Sequence, residues 1–150
     1  MKVRSIVIVS IAALAMIISA IGYAQVKRPY HDGSVWSIGF IRVKPGMDAA
    51  YMNYLATDWK KNQEAAKKAG LILSYKVIGT EEHSPTDWNL MLMTEYKDMA
   101  SMEANQDKAD ALAQQVVGDD KTQMQGYRDR SEIREVMGNR LSREIVLEPK

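Results

Sequence analysis

The tripeptide Lys44-Pro45-Gly46 constrains this chain more than any other feature. Proline lacks the N–H that a strand ladder needs and glycine allows turn geometry, so the β-branched and aromatic run Val35–Val43 has to stop there. Asp48 follows as a helix N-cap or first-turn acid. Met52, Leu55, Ala56, Trp59, Ala66 and Ala69 then recur at mostly three- and four-residue steps up to Gly70. The spacing predicts a strand, a tight turn and a helix over Asp48–Ala69.

The same punctuation continues downstream. Leu71–Gly79 reads as a second strand, residues 80–87 as a polar loop broken by Pro85, and Trp88–Tyr96 as a third strand. A second helix opens near Asp98, carries Met99, Met102, Ala109, Leu112, Ala113 and Val116 along one side, and stops at Gly118. In residues 119–139 only Ile133, Val136 and Met137 suggest structure, a short helical turn. Arg140–Leu147 closes as a fourth strand. The order β-α-β-β-α-β predicts an α+β, ferredoxin-like fold: an antiparallel four-stranded sheet, spatial order 4-1-3-2, with both helices on one face.

Strand alternation places Trp36, Ile38, Phe40, Leu73, Tyr75, Val77, Leu90, Leu92, Ile145 and Leu147 towards the helices. The other face then holds Ile41, Lys76, Ile78, Met91, Met93, Glu144 and Val146, with Ser37, Gly39, Ser74, Asn89 and Ser142 among them. A solvated sheet face rarely carries so many large apolar residues, so this one is expected to meet another sheet. Lys76 and Glu144 lie on opposite edge strands, too far apart to pair within one chain. They are expected to pair across a two-fold axis.

Residues 1–24 have the layout of a secretory signal: Lys2 and Arg4, an apolar run from Ile6 to Ile21, then Gly22 and Ala24 ahead of Gln25. The run is about 16 residues, short of the ~20 that span a bilayer, so cleavage is expected rather than anchoring. Residues 25–34 read as a flexible lead-in and 35–150 as one domain in a periplasmic or extracellular setting. The chain has 20 Lys and Arg against 19 Asp and Glu; without Lys2 and Arg4 the balance is 18 to 19, which gives no electrostatic case for nucleic acid. No cysteine is present, so neither disulfides nor lipid attachment at a cysteine can occur.

The stretches VWSIGFIRVKPGMDAAYMNYL and NLMLMTEYKDMASMEA resemble the dimeric α+β barrel superfamily, which includes cofactor-free and haem-degrading monooxygenases, and the chain as a whole is similar to small exported bacterial proteins of unassigned activity. The resemblance spans Val35–Leu147 and implies two sheets packed face to face, with any ligand held between sheet and helices. The haem-degrading branch uses a helix histidine. Here the second helix has none, and His31 and His83 lie in the lead-in and a loop. The resemblance therefore implies no haem. Tyr51, Tyr54, Trp59 and Asn62 supply the residue types with which cofactor-free monooxygenases steer a phenolic substrate.

Among local candidates, His83, Ser84 and Asp87 share one polar loop where a nucleophilic triad cannot readily form, and Glu81, Glu82 and His83 with His31 and Asp32 are weak metal ligands. Met91, Met93, Met99 and Met102 invite a copper-handling reading, yet methionine on packed faces is first a core filler. The sequence therefore points to a homodimeric binding or structural module that takes a small apolar ligand. It assigns no catalytic residue, no metal and no cofactor, and no membrane association once the signal is removed. The proposed ligand residues are Trp59, Asn62, Tyr75 and Asn89. An enzyme resembling monooxygenases or isomerases, acting on an apolar aromatic molecule, is the alternative.

Overall fold

The computed structural model describes residues 28–84 and 86–149; residues 1–24, expected to be a secretory signal, and Pro85 lie outside the described residues. Two compact units divide them. One is Asp32–Val146, and the other has residues 28–31 and 147–149 as its described part. In the smaller unit His31 Nδ1 stands 2.7 Å from a Glu148 carboxylate oxygen, and the Glu148 N–H donates to the Pro29 carbonyl at 2.8 Å.

The elements run β1 (Tyr30–Val43), α1 (Asp48–Tyr54), a π-helical turn (Leu55–Trp59), α2 (Lys60–Lys68), β2 (Ser74–Gly79), β3 (Leu90–Tyr96), α3 (Met99–Ala104), α4 (Gln106–Val116), α5 (Asp120–Ile133) and β4 (Arg134–Leu147). The sheet order is β2-β3-β1-β4, with β1 and β2 both antiparallel to β3, and this is the ferredoxin-like arrangement expected. Gly46 makes the turn into α1 at φ 77°, with the Met47 N–H bonded to the Lys44 carbonyl at 2.9 Å. Asp98 caps α3 by accepting the Ser101 N–H at 2.6 Å, and Asp119 caps α5 through the Thr122 N–H at 2.9 Å.

Several boundaries move. β1 starts at Tyr30, so residues 30–34 are strand rather than lead-in; Arg143 pairs with Asp32 at 2.9 Å and the Ser34 hydroxyl donates to Glu144 at 3.2 Å. Residues 120–133 form a full helix. Val136 and Met137 belong to a strand that begins at Arg134, not to a helical turn.

The core comprises Ile41, Val43, Tyr51 and Leu55, with Tyr54, Trp59, Leu90, Leu92 and Ile133 against it. This corrects the phase of β1. Ile41, 3% exposed, faces the helices. Register places Gly39 opposite Leu92 and Ile41 opposite Leu90, whereas Trp36, Ile38 and Phe40 lie opposite Glu95, Met93 and Met91 on the other side. The open face thus carries Trp36, Ile38, Phe40, Met91, Met93, Lys76 and Ile78, more aromatic than expected, and Trp88 packs edge-on against Phe40 at 4.9 Å. Ile145 and Leu147, expected under the helices, are exposed. α1 is also rotated by one position. Tyr51 is buried and Met52 is 49% exposed.

α2 packs on α4 and α1 on α5. Asn62 and Ala66 of α2 share a small gap with Thr94, Tyr96, Met102 and Leu112, so the α1–α2 and α3–α4 layers cover the same side of the sheet.

Candidate functional site

The π-helical turn sets the geometry of the site. In an uninterrupted α-helix, steps of four residues drift around the axis, so Tyr51, Leu55 and Trp59 would spiral away from one another's face. The wider turn over Leu55–Trp59 takes up one extra residue and holds all three towards the core side. Thr57 sits within it, its hydroxyl donating to the Asn53 carbonyl at 2.8 Å. Tyr51 and Tyr54 stack at 5.8 Å, and Trp59 meets Tyr75 of β2 edge-on at 5.3 Å.

Across from this aromatic row lies α5. Tyr127 and Arg130, three residues apart, share one face of α5, and Arg134, the extended residue that caps the helix and opens β4, follows directly after it. The Arg130 guanidinium lies 4.8 Å over the Tyr54 ring; that of Arg134 is 5.7 Å from the Tyr51 ring and 6.0 Å from Tyr127. Gly126 makes room for Arg130, since a Cβ there would come within 3.0 Å of Nη1. The Tyr51 hydroxyl and the Nε groups of Arg130 and Arg134 are buried without a hydrogen-bond partner. An unmet buried donor costs about 1–3 kcal/mol. Three of them beside each other mark a place where the fold gives up stability.

The cavity between these walls measures about 470 Å3 and is lined by Tyr54, Asp58, Trp59, Lys61, Asn62 and Ala113, then by Val116, Val117, Thr122, Gln123, Gly126, Tyr127 and Arg130. Burial pushes the Tyr51 hydroxyl up to about 12, against the opposing pull of Arg134. Burial likewise raises Tyr54, again against the arginines. Both phenols therefore stay protonated at neutral pH.

The structure brings Trp59 and Asn62 together in this cavity and sets Tyr75 against Trp59. It places Asn89 elsewhere: its Oδ1 accepts the Val43 N–H at 3.0 Å and its Nδ2 donates to Glu82 at 2.8 Å, beside a more polar hollow lined by Arg42, Lys44, Asp48 and His83. On the open face, Lys76 and Ile78 stand near Met93 and Met91. Glu144 and Val146, expected on that face, stand instead beside Gly33, in phase with Val35 and Ile41 on the helix side of β1, because β4 takes the phase of β1, which is inverted from that expected. Sequence reasoning missed Tyr127, Arg130 and Arg134; the three-residue spacing of Tyr127 and Arg130 was the available signal, and Arg134, at the start of β4, had none. Among the described residues no group of three His, Cys, Asp or Glu side chains is placed to hold a metal ion, and no helix is long and apolar enough to cross a membrane.

No family model and no curated protein matches the chain. Two solved structures are similar to it. One is a NIPSNAP family protein of unknown function from Agrobacterium tumefaciens, 16% identical over 79% of this chain and 95% of that one, with a TM-score of 0.49. The other is a dimeric ferredoxin-like protein from an uncultured marine organism, 18% identical over 81% of this chain and 99% of that one, with a TM-score of 0.41.

Proposed function

We propose that the protein is a homodimeric binding module: two copies pack their open sheet faces together, and the helix-side cavity of each takes a small molecule with an apolar body. The observation that carries the dimer is the composition of that face. Trp36, Ile38, Phe40, Ile78, Met91 and Met93 form one continuous patch over three strands, and none of them is buried within the chain. Patches of this kind are covered in soluble proteins by another surface. A second copy supplies a matching one, because a two-fold axis sets the same apolar face against itself. Leu141 and Ile145 of the edge strand β4 are exposed as well and extend the surface in need of cover.

The cavity lining combines ring faces and apolar side chains with the Asn62 amide, the Asp58 carboxylate and cationic side chains, groups that hold and orient a molecule. Residues 1–24 export the chain in this reading, and intact mass of the exported protein should begin at Gln25; a full-length membrane-bound species would refute export with cleavage. Sedimentation equilibrium tests the dimer. Wild type should sediment as a dimer and Met93→Glu as a folded monomer. A monomeric wild type would overturn the proposal.

A further inference from the structure

We propose that the helix-side cavity selects an aromatic carboxylate, its anionic end held by the Arg130 guanidinium with Arg134 adding positive field behind it. The inference rests on the reading of this cavity as the ligand site and adds the chemical class of the ligand.

Three observations point to an anion. Arg130 and Arg134 stack on tyrosine rings, and neither forms an ion pair among the described residues, although Arg42 and Arg143 do. Stacking satisfies the faces of a guanidinium and leaves its in-plane N–H groups to seek acceptors. Of these two arginines Arg130 lines the cavity and has a buried, unmet Nε, while the unmet Nε of Arg134 and the Tyr51 hydroxyl lie outside the lining. Nearby acids do not fill that need. Glu135 is taken by Arg42, and Asp58, which lines the same cavity, makes no ion pair with Arg130. Lys61 adds a further cation to the lining.

The body of the ligand follows from the walls. Tyr54, Trp59 and Tyr127 offer ring surfaces, and Ala113, Val116 and Val117 an apolar floor. Flat aromatic surface matches such walls better than a flexible chain, because less conformational freedom is lost on binding. A volume of about 470 Å3 suits a molecule of one or two fused rings. The uncommitted Asn62 amide can bond a polar ring substituent.

The test compares 1-naphthoate with its neutral counterpart, 1-naphthalenemethanol, on the full chain by isothermal titration, while the Trp59 indole N–H is followed by NMR. Naphthoate should bind about tenfold more tightly than the alcohol, the difference a charge-assisted hydrogen bond supplies. Arg130→Gln should reduce that preference to about threefold or less, while Arg130→Lys should keep part of it, since the charge remains without the planar fork. Thermal melts establish that each variant is folded. Equal binding of acid and alcohol, or an unchanged preference in Arg130→Gln, would overturn the carboxylate inference and leave the cavity reading standing. Binding of neither probe, or binding that leaves Trp59 unmoved, would overturn both.

Discussion

The ammonium of Lys76 lies 5.0 Å from the centre of the Trp36 ring, on the side of the sheet away from the helices. The ring face attracts the cation, and the apolar stem of the lysine spreads over the same surface. Nearby, the Ser74 hydroxyl donates to Glu95, so that carboxylate is also tied within its own sheet. The open face can thus be covered without leaving a bare charge, which is what a dry interface requires.

In the homodimer proposed above, the partner's apolar face covers Lys76 together with Trp36, whereas Glu144, beside Gly33, lies on the other side of the sheet and is not placed to pair with it. Lys76→Glu should then weaken the dimer by about tenfold or more, because a carboxylate is repelled by the ring face and is covered without a counter-charge. Lys76→Met should leave it about as tight as wild type. Sedimentation of both variants decides; a Lys76→Glu protein as tightly dimeric as wild type sinks this reading of the face.

Trp59 joins the helix layer to the sheet through Tyr75 and the core beyond it. It is only partly buried, so Trp59→Ala should cost about 3 kcal/mol, the lower end for an aromatic truncation. Urea unfolding measures this. A loss below about 1 kcal/mol would mean that the ring serves the cavity and not the core.

Tyr51 is 0% exposed and its hydroxyl has no partner. Tyr51→Phe removes an unmet donor and should raise stability by about 1 kcal/mol near neutral pH. The pH dependence has a definite sign. With the folded hydroxyl raised to about 12, nothing is lost below the ordinary value near 10. As pH rises from 10 towards 12 the unfolded chain ionises first, and wild type should lose roughly 3 kcal/mol relative to Tyr51→Phe. Parallel urea midpoints for the two proteins across that range would show instead that the hydroxyl is solvated.

Asn89 accepts the last N–H of β1 and holds the loop after β2 through Glu82. Asn89→Ala should destabilise by about 1–2 kcal/mol, because the Val43 N–H loses its acceptor. Naphthoate affinity should not change. A selective loss of affinity with stability intact would return Asn89 to the ligand site.

Element order was legible in the chain because its signals are local. Lys44-Pro45-Gly46 ends a strand, Asp98 caps a helix and Gly70 stops one at φ 71°, each acting within a few residues. The phase of β1 was not legible. Val35, Trp36, Ile38, Phe40, Ile41 and Val43 make both of its faces apolar, so alternation alone cannot say which side is inside. The contact of Ile41 and Val43 with Tyr51 and Leu55 settles that, and it depends on a π-helical turn with no sequence signature of its own. α5 was hidden for another reason: its 14 residues are mostly polar, and its place comes from docking on α1 rather than from an apolar stripe. Chain-local chemistry determined which elements form. The site, which joins Tyr54 and Trp59 to Arg130 from more than 70 positions away, exists only once those elements pack.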